Sequence, residues 1–161
     1  MRLLTLLVLP LLLLTSCARI EDPDIVQLRR RATQTHTYIG HSPKAVMQEV
    51  IAVLQDSGYI IKNVSPELGV ITAEFDHDIE KFSSKFWSTV FSGRDARWKK
   101  HATFEMNSML IEEEGRVRLR VNFLVREFDN TGRLLKIDPI EDEEAYQLFF
   151  AKVQKGLLHS R

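Results

Sequence analysis

The chain has 161 residues, with 22 basic and 22 acidic side chains, five histidines and one cysteine. So even a charge balance argues against a nucleic-acid partner, which would require a basic excess on one face. A lone cysteine excludes an internal disulfide, so the fold must be held by packing.

The chain opens Met1-Arg2 and then runs from Leu3 to Leu14 with only Thr5 and Pro10 interrupting the aliphatic residues. A short positive start and an apolar stretch of about a dozen residues have the form of a secretory signal. The stretch is too short for a bilayer-spanning helix, which needs roughly 20 apolar residues. A buried core helix fits poorly, because the segment is apolar on every side and lies at the extreme N-terminus. Leu14-Thr15-Ser16-Cys17 resembles the lipobox of bacterial lipoproteins. That resemblance implies cleavage before Cys17, diacylation of its thiol and acylation of the new amine. The cysteine is thereby consumed as a thioether, and two or more acyl chains anchor a protein stably where one does not. Ala18 follows in place of the aspartate that resembles an inner-membrane retention signal, which points to the periplasmic face of the outer membrane. Residues 1–16 are therefore expected to be a signal peptide, 17–32 a lipidated N-terminus and tether, and 33–160 a single domain. Removing sixteen residues from 161 leaves 145, enough for one domain with a real core.

Along the mature chain, residues 18–32 contain Pro23, lack a sustained apolar period and end in Arg29, Arg30 and Arg31. Residues 33–39 are rich in β-formers and predict a first strand. Ser42-Pro43 then marks a helix start, and Val46, Met47, Val50, Ile51, Val53 and Leu54 recur at helical spacing up to a stop at Gly58. Two strands follow, at 59–64 and 70–75, around a turn at 65–69. Ile79, Phe82, Phe86, Trp87, Val90 and Phe91 recur at three- and four-residue steps and predict a helix over 78–91. Beyond it, Ala102, Phe104, Met106, Ser108 and Leu110 alternate with polar residues. So do Val117, Leu119, Val121, Phe123 and Val125, with Arg116, Arg118, Arg120, Asn122 and Arg126 on the other side. Period-two alternation of this kind describes an antiparallel sheet covered on one face and wet on the other. After a turn at 129–132 and a short strand at 133–137, a last helix starts at the acidic run Glu141–Glu144. Tyr146, Phe149, Phe150, Val153 and Leu157 form its buried stripe. The expected fold is α+β, with order β-α-β-β-(α)-β-β-β-α, about five to six antiparallel strands, and the two main helices on one face.

Val53-Leu54-Gln55-Asp56-Ser57-Gly58-Tyr59-Ile60-Ile61, followed by Leu68-Gly69-Val70-Ile71-Thr72-Ala73, resembles a module of uncharacterised bacterial lipoproteins. The likeness continues at Val117–Val121, Gly132, Tyr146-Gln147, Phe149-Phe150 and Lys155–Leu158. It covers about residues 33–160 and is weakest over 76–100. The architecture is also similar to the helix-grip modules in a lipoprotein subunit of the outer-membrane barrel-assembly machinery. Neither resemblance implies an activity, a catalytic residue or a cofactor.

Candidate chemistry is sparse. Asp76-His77-Asp78 with Glu74 and Glu80 is the only local cluster of metal-type ligands, yet consecutive strand residues diverge and no second ligand pair stands at metal spacing. A solvated strand end explains it better. The scattered His36, His41, His101 and His159 offer no base–nucleophile pair, so no enzyme, metal or cofactor is expected. Arg116, Arg118, Arg120 and Arg126 admit two readings: charge pairing with Glu105 or Glu112 across the ladder, or a docking face for anionic headgroups or an acidic partner. Residues 78–91 also admit two, a third core helix or a docking element. Because an aromatic face beside the basic stretch Arg94–Lys100 suits an interface, Phe82, Phe86, Trp87 and Phe91 are the candidate interaction residues. The expected role is a lipid-anchored, non-catalytic adaptor for another envelope protein, or alternatively a module binding a lipid or small ligand between helices and sheet.

Substituting Cys17→Ser is expected to leave an unlipidated, uncleaved or aberrantly processed precursor whose domain still folds. Mass spectrometry of the mature wild-type chain decides the matter, and an unmodified Cys17 sinks the lipobox reading.

Overall fold

A computed structural model describes residues 22–77, 102–129 and 131–159. The described elements run α1 (Pro23–Thr33), β1 (Thr35–Ile39), α2 (Pro43–Asp56), β2 (Ile60–Ser65), β3 (Val70–His77), β4 (Ala102–Glu113), β5 (Arg116–Phe128), β6 (Leu134–Pro139) and α3 (Glu143–His159). This is the expected α+β architecture, with a six-stranded antiparallel sheet. Cys17 and the stretch 78–91 lie outside the described residues.

The first element differs from expectation. Within the expected tether, residues 23–33 form a helix that the sequence pattern does not mark, and the first strand starts at Thr35. The local reasons are strong: Asp22 accepts a capping hydrogen bond from the Asp24 amide at 3.0 Å, Pro23 occupies the first turn, and Arg30 and Arg31 sit at the end that favours cations. None of its residues is buried, so no apolar period marks it. It is helical without contributing to the core.

The other helices follow their capping residues. Ser42 accepts from the Ala45 amide at 3.2 Å, and Pro43 opens α2. Asp142 accepts from the amides of Glu144 at 3.0 Å and Ala145 at 3.3 Å to start α3. Val46, Met47, Val50, Val53 and Leu54 of α2 are buried, as are Tyr146, Phe149, Phe150, Val153 and Leu157 of α3. They meet the alternate residues of β4 and β5, where Phe104, Met106, Leu110, Val117, Leu119, Val121, Phe123 and Val125 are all buried. Edge-to-face packing of Phe123 on Phe149, with centroids 5.4 Å apart, ties sheet to helix.

The strand order is β1-β5-β4-β3-β2, with β6 also paired to β5. One glycine is demanded by contact as well as conformation. Gly69 has φ +66°, and a Cβ there would lie 2.3 Å from the Leu110 carbonyl oxygen, because the Leu110 amide donates back to the Gly69 carbonyl at 2.8 Å.

The thirteen-residue β5 is the spine of the sheet. Along one side it pairs with β4 throughout. Along the other it pairs with β1 over Arg116–Arg120 and with β6 over Leu124–Phe128. The gap between these partners is closed without a strand. The Val121 amide donates to the Gln34 carbonyl at 2.9 Å, and the Phe123 carbonyl accepts from the Ile140 amide at 2.9 Å. The Phe123 amide donates to the Tyr146 hydroxyl at 3.2 Å, and that hydroxyl donates to the Ile140 carbonyl at 3.0 Å. Burial raises the Tyr146 pKa, which keeps the phenol protonated and able to donate.

Leu54→Ala and Phe150→Ala should each destabilise the domain by roughly 2–5 kcal/mol, since both leave a cavity in the helix–sheet layer. Tyr146→Phe should cost about 1–3 kcal/mol by orphaning the Phe123 amide. Arg118→Ala, on the wet face, should fall within about 0.5 kcal/mol. Urea midpoints test all four; unmoved midpoints for Leu54 and Phe150 would overturn the assignment of the core faces.

Candidate functional site

The outward face of β5 carries four arginines, and the structure divides them. Arg116 pairs with Glu114 at 2.8 Å, Arg118 with Glu113 at 2.8 Å, and Arg126 with Glu105 at 3.1 Å. Of the two expected acidic partners, Glu105 serves and Glu112 does not. Glu112 stands opposite Val117, whose side chain is in the core, and so belongs to the other face from the arginines. Arg120 differs from its neighbours. Its cross-strand residue is Met109, the adjacent outward pair is Asn107 with Asn122, and it has no ion pair with any described residue.

Arg120 opens into a cleft where the last turns of α1 meet the outer face of β4 and β5. The cleft has a volume of about 430 Å³, within the range of about 300–1,000 Å³ typical of small-molecule sites. From α1 and its end it receives Gln27, Arg30, Arg31 and Gln34; from the sheet, Asn107, Ser108, Met109, Arg120 and Asn122; and from the end of β6, Pro139. No carboxylate lines it. Arg30 is held by an ion pair with Glu141, in the loop before α3, which fastens α1 beside the sheet. Arg31, like Arg120, has no ion pair with any described residue.

The amides are fixed rather than loose. Gln34 donates through Nε2 to Asn122 Oδ1 at 3.1 Å and lies 3.5 Å from the Tyr146 hydroxyl. Asn107 accepts from Thr72 Oγ1 at 3.1 Å and donates to Glu105 at 2.8 Å. With the Asn122 carbonyl engaged by Gln34, its Nδ2 is the group left for a ligand. The lining therefore combines guanidinium and amide donors with no residue that could act as a general base near neutral pH. Such donors can hold a negatively charged, hydrogen-bonding group.

The candidate interaction residues Phe82, Phe86, Trp87 and Phe91 lie outside the described residues, as does Cys17. The flanks of that central segment, His77 and Ala102, are cross-strand neighbours, so residues 78–101 connect adjacent strands at one end of the β3–β4 hairpin. Of the metal-type cluster, Asp76 accepts from Thr103 at 2.8 Å and Glu74 pairs with Lys62 at 2.9 Å. Among the described residues no three His, Cys, Asp or Glu side chains gather to share a metal ion. In the acidic run, Asp142 caps α3, Glu141 holds Arg30, and Glu143 accepts from Gln147 at 2.8 Å.

Sequence reasoning had marked the Arg29–Arg31 run and the outward arginines of β5 as separate basic features. That Arg31 and Arg120 line one cleft with Gln34, Asn107 and Asn122 depends on the path of α1, which no apolar pattern announces.

No family model matches this chain, and no curated protein matches it. Among solved structures, it is similar to the crystal structure of a DUF4468 family protein from Bacteroides ovatus ATCC 8483 at 1.49 Å resolution. The similarity covers 66% of this chain and 59% of that one, at 14% sequence identity and a TM-score of 0.30. A likeness at that level assigns no function.

Proposed function

We propose that this protein is a lipid-anchored envelope lipoprotein, held through Cys17 at the periplasmic face of the outer membrane, whose domain is a non-catalytic adaptor. The observation that carries the reading is the distribution of chemistry over the two sheet faces. The space between helices and sheet is occupied by Tyr38, Leu54, Met106, Phe123, Tyr146 and Phe149, each no more than 2% exposed. The polar, base-free cleft lies on the other face. Among the described residues, these are groups suited to recognition. The alternative, a lipid or ligand held between helices and sheet, meets a filled core there; a ligand role passes instead to the outer cleft.

The adaptor reading assigns partner contact to the aromatic stretch containing Phe82, Phe86, Trp87 and Phe91. Replacing Phe86 and Trp87 together by serine should reduce crosslinking to envelope proteins in intact cells while the melting temperature stays within a degree or two of wild type. Unfolding of the double variant would assign these aromatics to the core and remove the docking role.

A further inference from the structure

The cleft between α1 and the outer sheet face is more specific than a basic patch. The chain as a whole is neutral, and Arg116, Arg118 and Arg126 of β5 are each matched by a carboxylate. Along β5 it is at Arg120 that the acidic neighbours give way to Asn107, Asn122 and Met109, and there α1 adds a second guanidinium without an ion pair among the described residues, Arg31. Scattered surface charge would place acids and bases without regard to this cleft.

Two guanidinium-bearing residues lining one cleft from separate elements suit a tetrahedral oxyanion, which offers acceptor oxygens in several directions. A planar carboxylate is satisfied by a single bidentate guanidinium. The cleft volume of about 430 Å³ exceeds what a bare oxyanion fills. Beside Met109 and Pro139, the lining includes the amides of Gln27, Asn107 and Asn122, and amides both donate to and accept from hydroxyl groups. We infer that the cleft is a binding site for a phosphate ester of a small polyol, with Arg31 and Arg120 holding the phosphate and the amides reading the hydroxyls. The ligand chemistry is shared by a glycerophosphate lipid headgroup and its soluble counterpart. The headgroup source has a positional argument in its favour: α1 begins six residues after Cys17, and those six residues extend at most about 20 Å. This inference deepens the adaptor reading by naming what its outer face takes, and rests on it for the nearby membrane alone.

The test uses the purified mature chain in detergent micelles, with the acylation state of Cys17 measured on the same sample by mass spectrometry. Soluble glycerol 3-phosphate is titrated by calorimetry in one arm. In the other, micelles doped with phosphatidylglycerol or with phosphatidylcholine are compared by native mass spectrometry. Saturable, salt-sensitive binding is expected, weakened at least tenfold by Arg31→Gln and by Arg120→Gln. Arg118→Gln, on the same strand and face but paired with Glu113, should bind as wild type. Binding in both arms, or of phosphatidylglycerol alone, supports the site with a headgroup source; binding of glycerol 3-phosphate alone supports it with a soluble one. Absence of binding in both arms overturns it. So does an equal loss in Arg118→Gln, which would show diffuse surface charge, provided melting curves confirm that each variant is folded. An unacylated Cys17 with intact binding would remove the anchor and leave the cleft, so the two readings fail separately.

Discussion

The structure turns on the Tyr146 hydroxyl. Strand β5 must change partners midway, and a change of partner strands backbone groups at the point of exchange. Backbone amides buried without a hydrogen bond cost on the order of 1–3 kcal/mol each. Here a side chain from the last helix supplies what a strand cannot. One phenol oxygen accepts from the Phe123 amide, donates to the Ile140 carbonyl and stands 3.5 Å from the Gln34 amide nitrogen. The same ring packs on Phe123 at 5.3 Å, so the hydrogen bonds and the apolar packing hold one another in register. Three segments far apart in sequence, the end of α1, the middle of β5 and the start of α3, are fixed by this group.

Gln34 carries that constraint to the other face. Only 4% exposed, it closes the gap beside Val121 with its carbonyl, while its side chain passes from the Tyr146 hydroxyl to Asn122 on the outer face. The direction of α1 is set by this residue at one end and by the Arg30–Glu141 pair along its length. The cleft is therefore built on fixed elements, and its amides are oriented before any ligand arrives. Preorganisation of this kind lowers the ordering cost of binding.

How much of this could be read beforehand follows from where the apolar residues lie. Every second residue is buried from Ala102 to Leu110 in β4 and from Val117 to Val125 in β5, and in α2 and α3 the stripes are long and capped, so sequence periodicity and structure agree there, with Ile51 of α2 only half-buried. Elements that bury nothing leave no such trace. Helix α1 is marked only by Asp22-Pro23 and its terminal arginines, and a capped polar helix is hard to tell from a tether when only apolar spacing is counted. The partner change in β5 is equally silent, because Val121 and Phe123 keep their alternation straight through it. The cleft was legible as two basic features and illegible as a site: residues 31 and 120 meet through tertiary pairing of β1 with β5, and no local pattern encodes that register.

The distribution of charge gives the last step. Three of the four outward arginines of β5 are neutralised by acids from β4 or the turn after it, and the positions that would neutralise the fourth are amide and thioether. An acid at position 107 or 109 would have offered Arg120 the same cross-strand pairing its neighbours have, at no evident cost to a solvated face. Arg31 lines the same cleft from α1, and neither guanidinium has an ion pair with a described residue, which is the arrangement an anion-binding cleft would use. The break in the acid–base pattern at Arg120 is the feature that sets this part of the outer face apart from the rest of β5.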